Sequence, residues 1–359
     1  MIRHAAPSRV GILGNPSDGY GGRTLALAVP RFEAVVELEP ADGVEIVGLA
    51  DDAPRWSSVE AMATHLDRHG YGTGPQLLAA AARTFVALAH SVDRPLQAGF
   101  RLCYHTTIPR QVGLGGSSAL VVAALRCLIE HHGALEVPAP VLPTVALRAE
   151  TAELGLSAGL QDRVVQSYGG LVAMDFSETE VDTRFGVSHG LYEPLDPTSL
   201  PSLFLAYRES AAEPSDAYHH RLRTRYEAGD GQVREALREL AGLVVEGRAA
   251  LRWNDGERFA ELIGRNMALR RTLGPIPDSQ LELVEVAEAT GACATFAGSG
   301  GAVVGAYDDA DHFERLCDHY ADIGADVVAL DDQGATIDED PAEADVDLGN
   351  VVTLEPRRG

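Results

Sequence analysis

The first half of the chain combines two hydrophobic patterns. Short runs rich in β-branched and apolar residues, which predict strands, lie at residues 9–14, 24–30, 32–38, 100–108 and 171–176. Apolar residues at helical spacing, which predict amphipathic helices, lie at residues 71–89, 119–129 and 141–154. This mixture of elements predicts an α/β domain over residues 1–190.

The second half of the chain is mostly helical. Residues 179–201 are polar and rich in turn formers, and we place a domain boundary inside them. Helices are predicted at residues 217–254, with a break near 229–231, and at residues 257–273, 280–290 and 308–320. Strands are predicted at residues 203–207, on both sides of a small-residue turn within 294–307, and at 325–330. These elements predict a second domain, residues 191–335, and the acidic residues 336–359 are expected to be a flexible tail.

Composition restricts the chemistry that the chain can perform. The net charge is −24 over 359 residues, and all 29 basic residues are arginine. The absence of lysine excludes a Walker-type phosphate lysine, a protein-kinase lysine and a lysine Schiff base. Backbone amides, arginine or a divalent cation must therefore hold any bound phosphate. The acidic surface argues against nucleic acid or membrane partners, so we expect a small-molecule substrate and a monomer or homodimer.

The four cysteines, Cys103, Cys127, Cys293 and Cys317, form no CxxC pair and no metal-binding spacing. They predict free thiols in a reducing compartment. The first residues lack the apolar core of a signal peptide, and no apolar run reaches transmembrane length. We therefore expect a cytoplasmic protein.

A glycine-rich segment at residues 113–118 lies between the strand predicted at 100–108 and the helix predicted at 119–129. A turn of this kind points several backbone N–H groups at one place, with the positive end of the helix dipole behind them. The segment therefore predicts an anion site, and the usual anion is a phosphate. The alternative is an ordinary helix N-terminus that is capped by a serine.

Two further glycine-rich turns, residues 11–22 and 298–301, lie far from this segment along the chain. Glycine is needed where the backbone approaches a ligand closely or takes a positive φ. Three such turns beside strands or a helix predict one shared site. Neither the P-loop pattern nor a GxGxxG is present, so the two commonest nucleotide-binding folds receive no support.

Three carboxylates near these turns are candidates for chemistry. Asp162 follows a glycine-containing loop and could deprotonate a hydroxyl group, and the alternative is a helix N-cap. Glu150, on a predicted helix, could bind Mg²⁺, and the alternative is a solvated helix face. Asp18 could bind sugar hydroxyls, and the alternative is an Asx turn.

Three arginines, Arg23, Arg110 and Arg163, also lie close to the turns. Each could hold a carboxylate or phosphate with two hydrogen bonds, and each could instead form a surface ion pair. The adjacent His131 and His132 have no acidic partners at metal-binding spacing, so both are predicted to be exposed.

The segment at residues 109–119, Pro-Arg-Gln-Val-Gly-Leu-Gly-Gly-Ser-Ser-Ala, resembles the central phosphate-binding motif of the GHMP kinases, a family that includes galactokinase, homoserine kinase and mevalonate kinase. Residues 294–301 resemble the C-terminal glycine motif of that family, and residues 155–162 resemble the loop that carries its catalytic aspartate. The resemblance implies an α+β fold with two domains. The N-terminal domain would be of the ribosomal-protein-S5-like type and the C-terminal domain ferredoxin-like, with the active site between them.

Within the family, residues 14–18, 22–24 and 158–164 resemble the glucuronokinases in particular, as do Asn266 and residues 269–271. Other GHMP sugar kinases often carry a Glu-His-Asp type of first motif, which this chain lacks. Glucuronokinases use MgATP to phosphorylate the anomeric hydroxyl of D-glucuronate. The resemblance therefore implies this ATP-dependent sugar 1-kinase activity, with ATP and Mg²⁺ as cofactors.

The resemblance also implies roles for individual residues. Asp162 would be the general base or orienting carboxylate, and Ser118 and Glu150 would be the magnesium ligands. The ATP-binding residues would be Gly113, Leu114, Gly115, Gly116, Ser117, Ser118 and Ala119. The residues on the substrate side would be Asn15, Ser17, Asp18, Arg23, Arg163, Gly298, Ser299, Gly300 and Gly301.

One departure from the family pattern matters. Many relatives carry a lysine near the phosphates or at the start of the first motif, and here Arg9 and Arg163 are the expected replacements. Two alternatives to glucuronate kinase activity stay open. The first is a kinase of the same family for galacturonate, arabinose, galactose or a heptose phosphate. The second is a non-catalytic sugar or nucleotide sensor, against which the joint presence of Asp162, Glu150 and Ser118 argues.

Overall fold

The computed structural model describes residues 1–47, 54–71, 75–96, 99–133, 135–211 and 215–330. The predicted acidic tail, residues 336–359, lies outside the described residues. Within them, two β-sheets and the helices packed on them form the molecule.

The larger sheet has seven strands in the described ranges. They are β1 (Ile2–Leu13), β2 (Arg23–Pro40), β3 (Val44–Ile46), β4 (Arg55–Trp56), β5 (Phe100–Thr106), β6 (Leu171–Asp182) and β7 (Val187–Leu195). Their order is β4-β3-β5-β2-β6-β7, and β1 pairs with the remaining edge of β2. β3 and β5 are parallel, whereas the other pairs are antiparallel.

The long strand β2 replaces the two strands predicted at residues 24–30 and 32–38. Its pairing with β1 shifts register between Pro7 and Ser8. Pro30 lies opposite this shift, where a missing backbone N–H costs no ladder hydrogen bond. The proline therefore does not end the strand, and the prediction of two strands was wrong.

The N-terminal helices in the described ranges are α1 (Val59–His69), α2 (Gln76–Ser91), α3 (Gly116–His132), α4 (Val141–Arg148) and α5 (Gln161–Tyr168). The helix α3 packs against β1 and β2, and α2 packs on α3. Because α3 lies between sheet and helix, it is apolar on nearly every face. The helix predicted at residues 141–154 is α4 followed by a π-helical turn, Ala149–Glu153.

The C-terminal elements are β8 (Leu203–Tyr207), α6 (Ser215–Glu227), α7 (Gly231–Arg252), α8 (Gly256–Thr272), α9 (Asp278–Thr290), β9 (Cys293–Phe296), β10 (Ala302–Ala306), α10 (Ala310–Asp322) and β11 (Asp326–Ala329). The four strands form an antiparallel sheet in the order β11-β8-β10-β9. This strand order, with helices between β8 and β9 and between β10 and β11, is the predicted ferredoxin-like arrangement. The predicted helix break near residue 229 separates α6 from α7.

An edge strand accounts for another difference between the predicted and observed elements, whereas helix α1 was not predicted at all. The stretch at residues 179–201, predicted to be irregular, contains the end of β6 and all of β7. β7 is the last strand of its sheet, and it contains Gly190 and Pro194, residue types that are rare in strands, which hid the strand in the sequence. The domain boundary predicted at residue 190 falls inside β7, which stays paired with β6 as far as Leu195. The division of the chain at that residue stays a prediction.

The prediction that both adjacent histidines are exposed was wrong for His132. This residue is 3% exposed, and its ring stacks on Phe85 with 4.9 Å between the ring centroids. Burial lowers the pKa of His132 to about 4. None of the described helices combines the length and the apolar character that crossing a membrane requires.

Candidate active site

The glycine-rich segment at residues 113–118 forms the N-terminus of α3. Gly115, with φ of 78°, is the residue before the helix, and no side chain caps the first turn. The Ser118 hydroxyl donates to the carbonyl of Gly115 at 2.9 Å, and the side-chain amide of Gln166 donates to the same carbonyl at 2.7 Å. Because no side chain caps them, the first-turn N–H groups of this 17-residue helix can bind an anion such as a phosphate.

The three glycine-rich turns lie against one another. A Cβ atom on Gly298 would lie 2.1 Å from the carbonyl oxygen of Gly113, and one on Gly113 would lie 2.9 Å from the carbonyl oxygen of Gly300. The N–H of Gly11 donates to the carbonyl of Ala297 at 2.7 Å. Glycine is required for such close backbone approaches. The structure thus brings together the three turns that the sequence places far apart.

Asp162 lies in the first turn of α5, close to the glycine-rich segment. Its Oδ2 atom lies 3.4 Å from the position that a Cβ would take on Gly115. Arg9 donates two parallel hydrogen bonds to this carboxylate, from Nε to Oδ1 and from Nη2 to Oδ2, each 2.7 Å long. The helix begins after Leu160 without a side-chain cap, so the N-cap alternative for Asp162 is wrong.

Arg9 also connects the turns. Its Nη1 donates to the carbonyls of Gly113 at 2.5 Å and Ala297 at 3.2 Å. The residue lies on β1 and is 5% exposed. Of the two arginines expected to replace a lysine, Arg9 is thus the one that holds both oxygens of Asp162.

A second ion pair next to Asp162 is more deeply buried. Glu150 and Arg163 are 2% and 3% exposed. Nε of Arg163 donates to Oε2 of Glu150 at 2.9 Å, Nη2 donates to the same oxygen, and Nη1 donates to the carbonyl of Gly159 at 2.7 Å. Burial raises the pKa of Glu150, and the charge of Arg163 opposes the rise. Because Glu150 is buried, the solvated-face alternative is wrong.

Asp18 connects the glycine-rich turn at residues 11–22 to the loop before α5. It lies in the 3₁₀ turn Ser17–Tyr20, and its Oδ2 accepts a hydrogen bond from the N–H of Gln161 at 3.3 Å. A Cβ on Gly159 would lie 2.1 Å from that oxygen, so glycine is needed there. Burial, and after it the charge of Asp162, raises the pKa of Asp18 to about 6. The two carboxylates are therefore close enough to interact.

Other residues predicted on the substrate side form bonds that hold the first turn. The side-chain oxygen of Asn15 accepts a hydrogen bond from Arg270 at 2.6 Å. The hydroxyl of Ser17 donates to the carbonyl of Arg23 at 2.8 Å, and the guanidinium of Arg23 pairs with Asp175 at 2.6 Å. Each residue thus has a structural contact, and its contact with a substrate stays a prediction.

Two buried polar residues of α8, which the sequence indicated through the resemblance to the glucuronokinases but without a role, support the turn at residues 11–22. Arg270 donates to the carbonyl of Gly298 at 2.7 Å, in addition to its bond to Asn15. Asn266 accepts a hydrogen bond from the N–H of Gly14 at 2.9 Å. The two are four residues apart, on one helix face, and are 3% and 1% exposed. The structure gives these two residues of the resemblance a supporting role.

A cavity of about 220 Å³ opens beside the first turn. The residues that line it are Pro16, Asp18, Gly19, Tyr20, Thr151, Leu156, Ser157, Ala158, Gly159 and Arg223. A carboxylate, a guanidinium, hydroxyl groups and an aromatic ring thus share one small concave space, which suits a small polar ligand. No sequence motif indicated Arg223, which lies on α6.

The two predicted magnesium ligands supply donors of a suitable type. Ser118 offers a hydroxyl oxygen and Glu150 a carboxylate oxygen, and Mg²⁺ prefers oxygen. Among the described residues, no group of three or more His, Cys, Asp or Glu side chains could hold a metal ion. A magnesium ion here would therefore depend on the oxygens of a bound phosphate, as is typical of Mg²⁺ in phosphoryl transfer.

Comparisons with known proteins agree with this geometry. The model of the GHMP kinases N terminal domain matches residues 76–170, and that of the GHMP kinases C terminal domain matches residues 234–325. Glucuronokinase 1 of Arabidopsis thaliana is 41% identical over 309 residues, which cover 84% of each chain. Probable glucuronokinase 2 of the same plant is 40% identical over 85% of this chain and 84% of its own.

Solved structures show the same fold. The Streptococcus pneumoniae phosphomevalonate kinase in complex with phosphomevalonate and AMPPNP superposes with a TM-score of 0.74 at 17% identity, over 92% of this chain and 100% of that one. The predicted two-domain α+β fold is thereby confirmed. The chain belongs to the GHMP kinase family.

Proposed function

We propose that this protein is an ATP-dependent kinase that phosphorylates the anomeric hydroxyl of D-glucuronate to give glucuronate 1-phosphate. Two relatives named as glucuronokinases, each about 40% identical over most of both chains, support the substrate. The glycine-rich N-terminus of α3 supports ATP as the phosphoryl donor.

The position of Asp162 carries this proposal. Its Oδ2 lies 3.4 Å from the Cβ position of Gly115, at the start of α3. The residue before Asp162, Gln161, donates its N–H to Oδ2 of Asp18 at 3.3 Å, and Asp18 lines the 220 Å³ cavity. Asp162 therefore lies between a site suited to phosphate and a site suited to a sugar.

The residues of this chain then divide the work of phosphoryl transfer. Asp162 orients the anomeric hydroxyl and accepts its proton while the sugar oxygen bonds to the γ-phosphorus and the bond to ADP breaks. Arg9 fixes both oxygens of that carboxylate. The first-turn amides of α3 hold the phosphates in the absence of any lysine.

Magnesium completes the proposed site. Ser118 and Glu150 would hold the ion together with phosphate oxygens, and the ion would neutralise phosphate charge. The glycines at residues 298–301 would lie on the substrate and phosphate side, since they contact the segment at residues 113–118.

The cellular setting is also part of the proposal. The cysteines Cys103, Cys127, Cys293 and Cys317 are free, which supports a reducing, cytoplasmic location. A monomer or homodimer is proposed, with the sugar acid and ATP as the partners.

Steady-state ADP release by the purified protein tests the function. The substrates compared are D-glucuronate, D-galacturonate, D-galactose, L-arabinose and a heptose phosphate, and kcat/KM is expected to be highest for glucuronate. Asp162→Asn should lower kcat by roughly 100-fold or more, because it removes the proton acceptor. Asp67→Asn, which changes an exposed aspartate paired with Arg83, is the matched control.

The other outcomes separate the alternatives. A preference for another sugar keeps the kinase and replaces the substrate. ATP binding without turnover of any of these sugars supports a non-catalytic sensor instead.

A further inference from the structure

Two of the described side chains that line the 220 Å³ cavity are charged. Of the ten described residues that line it, Arg223 is the one with a positive charge, and Asp18 is the one with a carboxylate. A sugar acid that enters this space brings a further negative charge close to the carboxylates of Asp18 and Asp162. Burying that charge without a cation is unfavourable, so a binding site for a sugar acid here requires a basic partner.

The arginines that the sequence suggested for this purpose are bound elsewhere or lie outside the cavity lining. The guanidinium of Arg23 pairs with Asp175 at 2.6 Å. The guanidinium of Arg163 is 4% exposed and is held by Glu150 and the carbonyl of Gly159. Arg110 is not among the described residues that line the cavity.

Residues of the glycine-rich turn at 11–22 position Arg223. Its guanidinium lies over the ring of Tyr20, 5.4 Å from the centroid, and Nη2 donates to the carbonyl of Gly19 at 3.3 Å. Tyr20 in turn packs against Tyr226 of α6, with the two rings tilted by 52° and 4.6 Å between their centroids. Nη1 of Arg223 also lies 4.0 Å from Oε1 of Glu227, in an exposed pair one turn further along α6. Such an exposed pair is weak, and the Arg223 side chain remains 51% exposed, so its guanidinium can still bind a ligand in the cavity.

The helix that carries Arg223 is fixed at its C-terminal end. Arg225 pairs with Asp230 at 2.7 Å and also donates to the carbonyl of Leu273, at the end of α8. Leu222 is 2% exposed and packs into the core. Helix α6 therefore presents Arg223 from a supported position, and a planar guanidinium matches a carboxylate with two hydrogen bonds.

We propose that Arg223 binds the carboxylate of the sugar acid and selects sugar acids over neutral sugars, while Asp18 accepts hydrogen bonds from sugar hydroxyls. This assignment rests on the proposed function, because it concerns the sugar site of the same kinase. It makes Arg223 a specificity-determining residue, supplied by the C-terminal domain to a cavity whose other walls come from the N-terminal domain.

The test compares kcat/KM for D-glucuronate and D-glucose, which differ in the carboxylate and the hydroxymethyl group. Arg223→Gln should lower kcat/KM for glucuronate by about 10- to 100-fold, mainly through KM, and leave the value for glucose within about twofold. Arg223→Lys should retain part of the preference, because it keeps the charge and loses the paired hydrogen bonds.

Arg234→Gln is the matched control. Arg234 is exposed, lies 5.2 Å from the centroid of Tyr226 and donates to the Tyr226 carbonyl at 3.2 Å, so its contacts resemble those of Arg223. The control should leave both substrates unchanged. Thermal denaturation of each variant establishes that it is folded.

The outcomes distinguish this assignment from the proposed function. The assignment alone is overturned if the wild type prefers glucuronate but Arg223→Gln loses kcat/KM equally for both sugars, or loses none. A wild-type enzyme that prefers a neutral sugar overturns both. If another sugar acid is preferred, the substrate of the proposed function is wrong. The assignment of Arg223 is then tested by the loss of kcat/KM in Arg223→Gln for that acid, compared with the loss for its neutral counterpart.

Discussion

Replacing Arg9 with methionine is the sharpest test of how the site is held together. Arg9 donates two hydrogen bonds to Asp162, one to the carbonyl of Gly113 and one to the carbonyl of Ala297. Methionine fills a similar volume and makes none of these bonds. The variant therefore removes the paired hydrogen bonds to Asp162, which keeps the guanidinium of Arg163 at 3.8 Å as an ion-pair partner. It also removes the Arg9 donor from the carbonyls of Gly113 and Ala297, of which Ala297 still accepts from the N–H of Gly11.

The structure sets the expected size of the effect. Removing one partner of a buried ion pair costs about 3–5 kcal/mol. The Arg9 side chain is 6% exposed but that of Asp162 is 20% exposed, so water and the guanidinium of Arg163 at 3.8 Å can still stabilise part of the carboxylate charge. We therefore expect a loss near the lower end, about 3 kcal/mol in the free energy of unfolding. Activity should fall as well, because the carboxylate is no longer fixed next to the segment at residues 113–118.

Urea denaturation and ADP release measure the two effects on the same preparation. Arg9→Lys is the informative companion, because it keeps a charge and cannot make the two parallel bonds to Asp162. It should recover part of the stability and less of the activity. An Arg9→Met variant with wild-type unfolding free energy and wild-type kcat would refute the bonding scheme described for Arg9.

Three further predictions follow from single contacts. Gly298→Ala places a Cβ 2.1 Å from the carbonyl oxygen of Gly113, so kcat/KM should fall by about tenfold or more and the free energy of unfolding by roughly 1–3 kcal/mol. Gly242→Ala, whose Cβ would have no atom within 4 Å, should cause neither loss, and equal kinetics for the two variants would contradict the close packing of the turns. Glu150→Gln removes the shortest ion pair of the buried Arg163 and leaves it Asp162 at 3.8 Å, so the free energy of unfolding in urea should fall by about 3 kcal/mol. The double variant with Arg163→Met should recover part of this loss, and fully additive effects would show that the pair is not coupled. The pKa of Asp18 is raised from 3.8 to about 6, so the folded state favours the protonated form, and this stability is complete below pH 3.8 and lost as the pH rises through 6. Asp18→Asn should therefore gain melting temperature relative to the wild type between pH 4 and pH 7, and a pH-independent difference would contradict the raised pKa.

The sequence predicted those parts of the molecule that local chemistry determines. The segment at residues 113–118 has the glycines and serines of a helix N-terminus suited to phosphate, and the structure puts it at the start of α3. The absence of lysine led to Arg9 as an expected replacement, and the structure brings Arg9 to the segment at residues 113–118, where it donates to the carbonyl of Gly113. Its contact with a phosphate stays a prediction. The family, the fold and the kinase activity are confirmed by the comparisons.

Long-range contacts explain what the sequence could not show. Arg9 and Asp162 are 153 residues apart, and the bond between Arg270 and Asn15 spans 255 residues. Nothing near Arg223 in the sequence distinguishes it from the other arginines of α6, and its importance comes from the cavity that Asp18 and the loop before α5 form opposite it. In the same way, Pro30 predicts the end of a strand, and only the shifted pairing with β1 shows that β2 continues through it.

Phosphorus NMR of the product formed from MgATP and D-glucuronate, by the wild type and by Asp162→Asn side by side, tests the central claim most directly. The account predicts glucuronate 1-phosphate from the wild type and a rate lower by roughly 100-fold or more from the variant. A phosphate on another hydroxyl, no sugar phosphate from the wild type, or equal rates from the two proteins would contradict it.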